Sequence, residues 1–509
     1  MLSTVLLTGC GYETEPSFDA RQAASEGEEF TTLGLLPEFD YEVPESLPNI
    51  LVDQTGYARQ SDKVAFFQGD QLPESFSVVE AESKQVVYTG QIEQRESGDT
   101  EIPICYGDFT SLDTNGIYYI QAAMVGQSYP FEIADDPYTE VYHTALKKYY
   151  LNRCGLTLSS ELAGEAARNA CHVREAQIRD SADVTLDVSG GWHVDEMSSR
   201  DVCKGCQTAD YLLLAYELYP EVFSDDVGIP ESGNDIPDVL DEVRYEIDWL
   251  LKMQDAKSGA VYSAVNSVEN KSSGYLLYID GINMNATIQF AATLAKFSYL
   301  YQSYDREFAT QCLQAADRAY RYAGKYLEDV TAEEYFHAAA ELYRATGSYG
   351  YHNVVKEYLM ENLLTDMKND FVFWGCVTYM STKQNVDVAL CGEVMKILMQ
   401  EGERIAEASK NSGLLVNVEQ DQDNGAELLK DITRLAVVDH VITNHEYTMV
   451  LQNHLHYMLG RNLQSVSYLD EEGTRNYKDI DANQGIMNQI DLNAELVLMM
   501  SAIVEELET

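Results

Sequence analysis

The hydrophobic period of this chain changes once, at Asp135-Asp136-Pro137, and that change limits what it can fold into more than any other feature. Before it, apolar residues alternate or run for five to eight positions in NILVDQTGY, KVAFFQ, SFSVVEAES, QVVYTGQIE, GIYYIQAAM and QSYPFEIA, with Gly, Asp, Asn and Ser between them. Short strands at such intervals predict an Ig-like β-sandwich over 49–135. After the change nearly every segment carries the helical period. In PDVLDEVRYEIDWLLKM, Val239, Leu240, Val243, Ile247, Leu250 and Leu251 form one apolar stripe, and Pro237 stands where a missing N–H costs nothing. Similar segments at 139–153, 207–219, 284–303, 307–326, 331–346, 350–363, 388–409, 426–442, 445–460 and 491–507 bring the expectation to eleven or twelve helices with almost no strands between them. Short loops between helices of about four turns predict an all-α bundle or α/α toroid over 136–509. No repeat of fixed length is present, which argues against a solenoid.

Charge narrows the partners. The 509 residues carry 34 Lys plus Arg against 84 Asp plus Glu, a net charge of −50. Phosphate-bearing partners would be repelled, so nucleic acid is excluded as the main ligand and a membrane can be met only through an anchor. Neutral ligands and cations remain. The 35 Tyr stand against 3 Trp and 15 Phe; such amphipathic rings suit sugar surfaces and equally finish helix surfaces.

The N-terminus supplies a candidate anchor. Leu6-Leu7-Thr8-Gly9-Cys10 resembles a bacterial lipobox, in which Cys10 would be lipidated, although no Lys or Arg precedes it. Residues 1–10 then read as a signal remnant and 11–48 as a flexible acidic tether. The expected location is extracellular, lipid-anchored at the bacterial cell surface.

Seven ordered blocks carry a family resemblance: ILVDQTGY with KVAFF, PFEIADDPYTE with YYLNRCG, DVSGGWH, ESGNDIPDVLDEVRYEIDWLLKMQD, AAAELYRATG, LHYMLGRN and IDLNAELV. Together they resemble glycoside hydrolase family 9, in the cellulase D type with an N-terminal Ig-like module. The resemblance implies an (α/α)6 barrel and inverting hydrolysis of β-1,4-glucans. Inversion needs a carboxylate base and a protonated carboxyl about 6.5–9.5 Å apart across the scissile bond.

The matching positions do not hold those groups. The family's base pair follows Gly-Gly-Trp as Asp-x-x-Asp, and here that register places Val194 and Met197. The family's acid stands four residues before the Asp of the last block, where this chain has Met487. A loop shift would leave Asp195 and Glu196 as base candidates. Only about 28 residues separate Asn462 from Asp491, without the His-His-Arg element that the family uses to grip substrate. Three readings follow. One is a glycan-binding pseudoenzyme of polysaccharide utilisation. The second is an active endo-β-1,4-glucanase-type hydrolase with a remodelled centre. The third is a structural lipoprotein whose cleft is filled by Met197 and Met487. Trp192 and Trp374 are candidate substrate-stacking residues.

Cys154, Cys171, His172 and His193 offer two thiolates and two imidazoles, a set suited to tetrahedral zinc. The resemblance implies that all four ligate a structural zinc. It also allows calcium, for which GNDIPDVLDE supplies acidic residues that equally suit a helix start. Cys203-Lys-Gly-Cys206 reads as two structural thiols or a local disulfide.

Overall fold

The computed structural model describes residues 48–508, apart from 70, 95–103, 180, 182–183, 196, 271–273, 363–366, 418–424, 443 and 470–484. Cys10, Glu196 and all of 11–48 except Pro48 therefore lie outside the described residues.

The N-terminal module is a two-sheet sandwich. Strands β1 (Ile50–Leu51), β3 (Val64–Gln68), β7 (Ile104–Asp108) and β6 (Glu93–Gln94) form one sheet in the order β1-β3-β7-β6. The other runs β2 (Gly56–Ala58), β10 (Phe131–Ala134), β8 (Gly116–Ala122), β4 (Ser75–Glu80), β5 (Val86–Gln91), with β9 (Gly126–Gln127) also paired to β8. Alternation places Tyr118, Ile120 and Ala122 of β8 inward, onto Phe67, Phe76, Val78, Phe109 and Phe131. β7 was not among the predicted strands; its ICYGD run holds a Gly and an Asp, yet it pairs with β3 from Val64↔Asp108 to Gln68↔Ile104.

Twelve helices of three or more turns follow among the described residues: α1 (Thr139–Asn152), α2 (Val202–Leu218), α3 (Asp238–Lys252), α4 (Met284–Tyr301), α5 (Arg306–Ala323), α6 (Ala332–Thr346), α7 (Tyr349–Asn362), α8 (Asp370–Ser381), α9 (Val388–Asn411), α10 (Gly425–Ile442), α11 (His445–Met458) and α12 (Ile490–Glu508). The even-numbered helices form an inner ring. α2 packs on α4 and α12, α4 on α6, α6 on α8, and α10 on α12. The Arg434 guanidinium of α10 closes the ring, donating to the carbonyls of Met367 and Lys368 and to Asp370 at the start of α8. The odd-numbered helices lie outside. Burial separates the two classes. Inner α4 is buried around its whole circumference from Ala286 to Ser298, whereas outer α5 buries only the stripe of Ala309, Cys312, Ala315, Ala316, Ala319, Tyr320 and Ala323. This is the (α/α)6 barrel that the family resemblance implied.

Two elements depart from the predicted pattern. Inner helix α8 (DFVFWGCVTYMS) was not predicted, because Val372 through Tyr379 are all buried and leave no polar face to mark a period. The antiparallel hairpin β14 (Ala264–Asn270) and β15 (Gly274–Ile279) interrupts the helices. It anchors a sheet ordered β12-β11-β15-β14-β13, with β11 at Ala176–Ile178, β12 at Thr185–Leu186 and β13 at Arg200–Asp201, where the chain turns into α2.

Module and barrel share an apolar cluster that includes Leu51, Phe66 and Ile104 from the sandwich and Tyr138, Val141 and Leu455 from the barrel. Buried polar contacts fix the seam: Asp53 Oδ2 lies 2.8 Å from His456 Nδ1, and Gln54 Nε2 donates to the Ser465 carbonyl at 2.7 Å. Among the described residues, no helix is long and apolar enough to cross a membrane.

Candidate functional site

Each inner helix is preceded by an outer helix that returns the chain, so the inner N-termini share one end of the barrel. The Gly-Gly-Trp loop enters α2 at this end, and the Ile486–Asn488 turn enters α12 there. The Lys204 Nζ–Asp491 Oδ1 ion pair, 3.0 Å long, joins the two helix starts.

The loop is held to α1 by two backbone bonds, Cys154 N–H to Gly191 O at 2.7 Å and His193 N–H to Asn152 O at 2.9 Å. Gly191 has φ of +78°, and a Cβ there would lie 2.7 Å from the Trp249 ring, so both sterics and backbone demand glycine. Beneath the loop, Trp192 N–H donates to Glu246 Oε2 at 2.8 Å, and its indole N–H to Glu242 Oε2 at 3.4 Å. Burial raises the carboxyl pKa values to about 8 for Glu246 and about 7 for Glu242, the latter opposed by Arg153. Arg153 is 1% exposed; it reaches Glu242 through Nε at 3.0 Å and grips Glu231 with two 2.9 Å bonds.

The four predicted metal ligands converge. Their donor atoms all lie within 4.8 Å of one another. Cys154 Sγ is 3.6 Å from His172 Nδ1, Cys171 Sγ is 3.9 Å from Cys154 Sγ, and Cys171 Sγ is 3.5 Å from His193 Nε2. A tetrahedron with Zn–S of about 2.3 Å and Zn–N of about 2.0–2.1 Å has edges of about 3.8 Å between sulfurs and about 3.6 Å between sulfur and nitrogen. The donor set therefore fits zinc in size and chemistry, with four protein ligands and no open position. His172 takes φ of +49°, a backbone conformation uncommon outside glycine that turns its ring toward the sulfurs. Arg168 donates to Cys171 Sγ at 3.3 Å and to the Leu151 and Arg153 carbonyls, supporting a thiolate.

At the positions matched to the family's base, Val194 is half-buried and Met197 is 66% exposed. Asp195 turns its carboxylate back on its own loop, accepting from Ser199 N–H at 2.9 Å, while Ser198 N–H bonds its carbonyl at 3.0 Å. At the acid position Met487 is fully buried. The expectation of a cleft plugged by both methionines is corrected for Met197, whose side chain points to solvent from a tight turn.

Trp192 and Trp374 are also corrected as stacking platforms, since each is 1% exposed. The Trp192 ring packs on Tyr149 at 5.0 Å, and Trp374 lies edge-on to Tyr211 at 4.9 Å inside the inner ring. Cys203 and Cys206 are free thiols in the first turns of α2, and burial raises the Cys203 pKa to about 12. In GNDIPDVLDE, Asp238 Oδ2 accepts from Val227 N–H and Ser232 Oγ, and Asp241 accepts from Asn234, as expected of loop and helix-start caps. Asp238 Oδ1 is a buried oxygen without a hydrogen-bond partner.

The barrel assembles one further group. Glu495 on α12 is 9% exposed, and its Oε2 has no hydrogen-bond partner. Burial raises its pKa to about 8, with Asp370 adding and Arg434 and Lys430 opposing. Tyr211 donates to Asp370 Oδ1 at 3.1 Å, and Arg434 Nη1 to the Tyr211 hydroxyl at 3.2 Å. Four inner helices thus supply a carboxyl kept protonated at neutral pH beside an Asp held by Arg and Lys. The sequence signal was Glu495 itself, one helical turn after Asp491.

Comparison with known proteins agrees with this architecture. Residues 138–483 match the model of Glycosyl hydrolase family 9, and residues 45–127 match that of the Cellulase N-terminal ig-like domain. A cellodextrinase of Butyrivibrio fibrisolvens is 27% identical over 482 residues, covering 85% of this chain and 86% of that protein. Endoglucanase D of Acetivibrio thermocellus is 27% identical over 433 residues, covering 78% of this chain and 68% of the other. The crystal structure of a metagenome-derived family 9 endoglucanase superposes with a TM-score of 0.78 at 24% identity, covering 89% of this chain and 98% of that one. With its family model matched across more than half its length and its Ig-like module in place, this chain belongs to glycoside hydrolase family 9.

Proposed function

We propose that this protein binds a β-glucan-type polysaccharide at the N-terminal end of its barrel and has lost the family's inverting hydrolysis. One observation carries the reading: a buried thioether, Met487, stands where a proton donor is needed, and Val194 and Met197 stand where carboxylates are needed. None of the three side chains can donate or accept a proton. General acid–base groups contribute about 10²–10⁴-fold each, so losing both leaves family-type turnover at background. The ligand class is supported by the net charge of −50, which disfavours anionic polymers and leaves a neutral glycan unopposed.

The same proposal places a structural zinc on Cys154, Cys171, His172 and His193, tying the end of α1 to the Gly-Gly-Trp loop. Calcium at Asp238 is a second proposed ion, supported by its unpartnered Oδ1. The lipobox-like Cys10 supports anchoring at the bacterial cell surface.

A second reading is favoured by Glu495. A carboxyl with a pKa of about 8 and a free oxygen, close to Asp370 and Asp491, has the character of a general acid. In that case hydrolysis persists at a remodelled centre, with Asp195 or Glu196 as base. Reducing-sugar release and calorimetric binding on cello-oligosaccharides, mixed-linkage β-glucan and xyloglucan test both. Binding without release supports the first reading. Release abolished by Glu495→Gln supports the second.

A further inference from the structure

We propose a second glycan-binding site on the Ig-like module, in the groove formed by Tyr88, Gln91, Glu93, Tyr106, Asp108 and Thr110. The inference shares the ligand class of the proposed function but concerns a different site on a different domain.

The groove has a volume of about 470 Å³, within the range of small-ligand pockets. It lies where the chain leaves one sheet for the other, from β5 through β6 to β7. Its construction depends on two glycines. A Cβ on Gly90 would lie 2.5 Å from the Phe76 ring, and one on Gly107 would lie 2.4 Å from it. Glycine at both positions lets β5 and β7 close over a single phenylalanine. That approach brings Tyr88 and Tyr106 to one groove.

Both rings are held before any ligand arrives. The Tyr88 hydroxyl donates to the Asp108 carbonyl at 3.1 Å, and the Tyr106 hydroxyl donates to Glu93 Oε2 at 2.7 Å. Tyr88 packs against the sandwich core, where Phe76 lies 6.2 Å away. Tyr106 packs against the cluster shared with the barrel, so the groove opens beside the seam between the domains. Fixed aromatic rings lose little conformational freedom on binding.

The lining chemistry selects the ligand. Gln91, Glu93, Asp108 and Thr110 present amide, carboxylate and hydroxyl oxygens that accept from sugar hydroxyls. Among the described residues no cationic side chain lines the groove, and the two carboxylates disfavour anions. Two immobilised tyrosine rings among hydrogen-bond acceptors suit the apolar faces and hydroxyl rims of a neutral pyranose chain.

The test uses the full chain, titrated calorimetrically with cellohexaose and with soluble mixed-linkage β-glucan. Tyr88→Ala and Tyr106→Ala are each expected to weaken one binding step about tenfold. Tyr88→Phe and Tyr106→Phe keep the rings and are expected to bind within about threefold of the parent. If the barrel also binds, a second step persists in the Ala variants; if it does not, the single step is the one they weaken. Affinities unchanged by both Ala substitutions overturn the proposal, as does no binding of either probe by the parent. Phe variants as impaired as the Ala variants overturn the stacking argument. A parallel titration with calcium chloride covers the cation alternative: calcium binding lost in Glu93→Gln, with glycan affinity unchanged by Tyr88→Ala, makes the groove a cation site and overturns the proposal.

Discussion

Glu246 supplies a stability switch whose sign and size follow from its surroundings. Its carboxyl is fully buried against Gly205, where a Cβ would lie 2.2 Å from Oε1, and its Oε2 accepts from Trp192 N–H. Burial raises its pKa from 4.5 to about 8. The folded protein therefore holds a proton that the unfolded chain releases above about pH 4.5. This contribution is complete below that value and is lost as pH rises through about 8. At 1.36 kcal/mol for each tenfold step, raising the pKa from 4.5 to about 8 corresponds to roughly 5 kcal/mol as an upper limit. Glu246→Gln removes the titration and keeps an oxygen for the Trp192 N–H. For a barrel of this size, with unfolding entropy near 2.1 cal/mol/K per residue, the full effect is roughly 6 °C in Tm. Differential scanning fluorimetry from pH 5 to pH 9 should show the variant's Tm rising relative to the parent's, with most of the change between pH 6 and pH 8.5. A constant offset across that range would refute the reasoning, because it would mean that no proton distinguishes folded from unfolded Glu246.

Three further outcomes follow. The purified protein should carry about one zinc per chain by mass spectrometry, and Cys171→Ser should lose the metal and lower Tm. Arg153→Ala should cost about 3–5 kcal/mol, read as a lower denaturation midpoint, because it leaves Glu242 buried without its guanidinium. Gly191→Ala should cost about 2–5 kcal/mol from the positive φ and the approach to Trp249. It should also lower zinc retention, since His193 follows two residues later.

Much of this fold was legible because its signals are local. The stripe on α3 places Val239, Leu240, Val243, Ile247 and Leu250 in the core as the spacing predicted. Outer helices announce themselves in this way because they keep a wet face. Inner helix α8 has no wet face, so Phe373, Trp374 and Val377 gave no period to read. Burial also misplaced the two tryptophans: each looked like a sugar platform beside a presumed cleft, whereas Trp374 fills the inner ring and Trp192 packs between its loop and Tyr149 of α1. The metal set was readable because two Cys and two His stand at positions tied to a recognisable loop. Glu495 was not, because its raised pKa comes first from burial inside the barrel and then from the charge of Asp370, with Arg434 opposing; those two partners lie 125 and 61 residues away in the chain. Only the closed barrel brings those charges together. The hairpin β14–β15 was missed for a related reason, since its outer pair, Val268 and Leu276, is exposed and breaks the alternation expected of a half-buried strand.

The central claim is that the barrel holds glycan without cleaving it, and it is tested most directly by reducing-sugar release from mixed-linkage β-glucan. The parent would be compared with Glu495→Gln and with a Val194→Asp, Met197→Asp, Met487→Glu triple variant. The account predicts background release by the parent, no change in Glu495→Gln, and measurable release only in the triple variant. Turnover by the parent that Glu495→Gln abolishes would contradict it and make the buried glutamate the acid of a remodelled hydrolase.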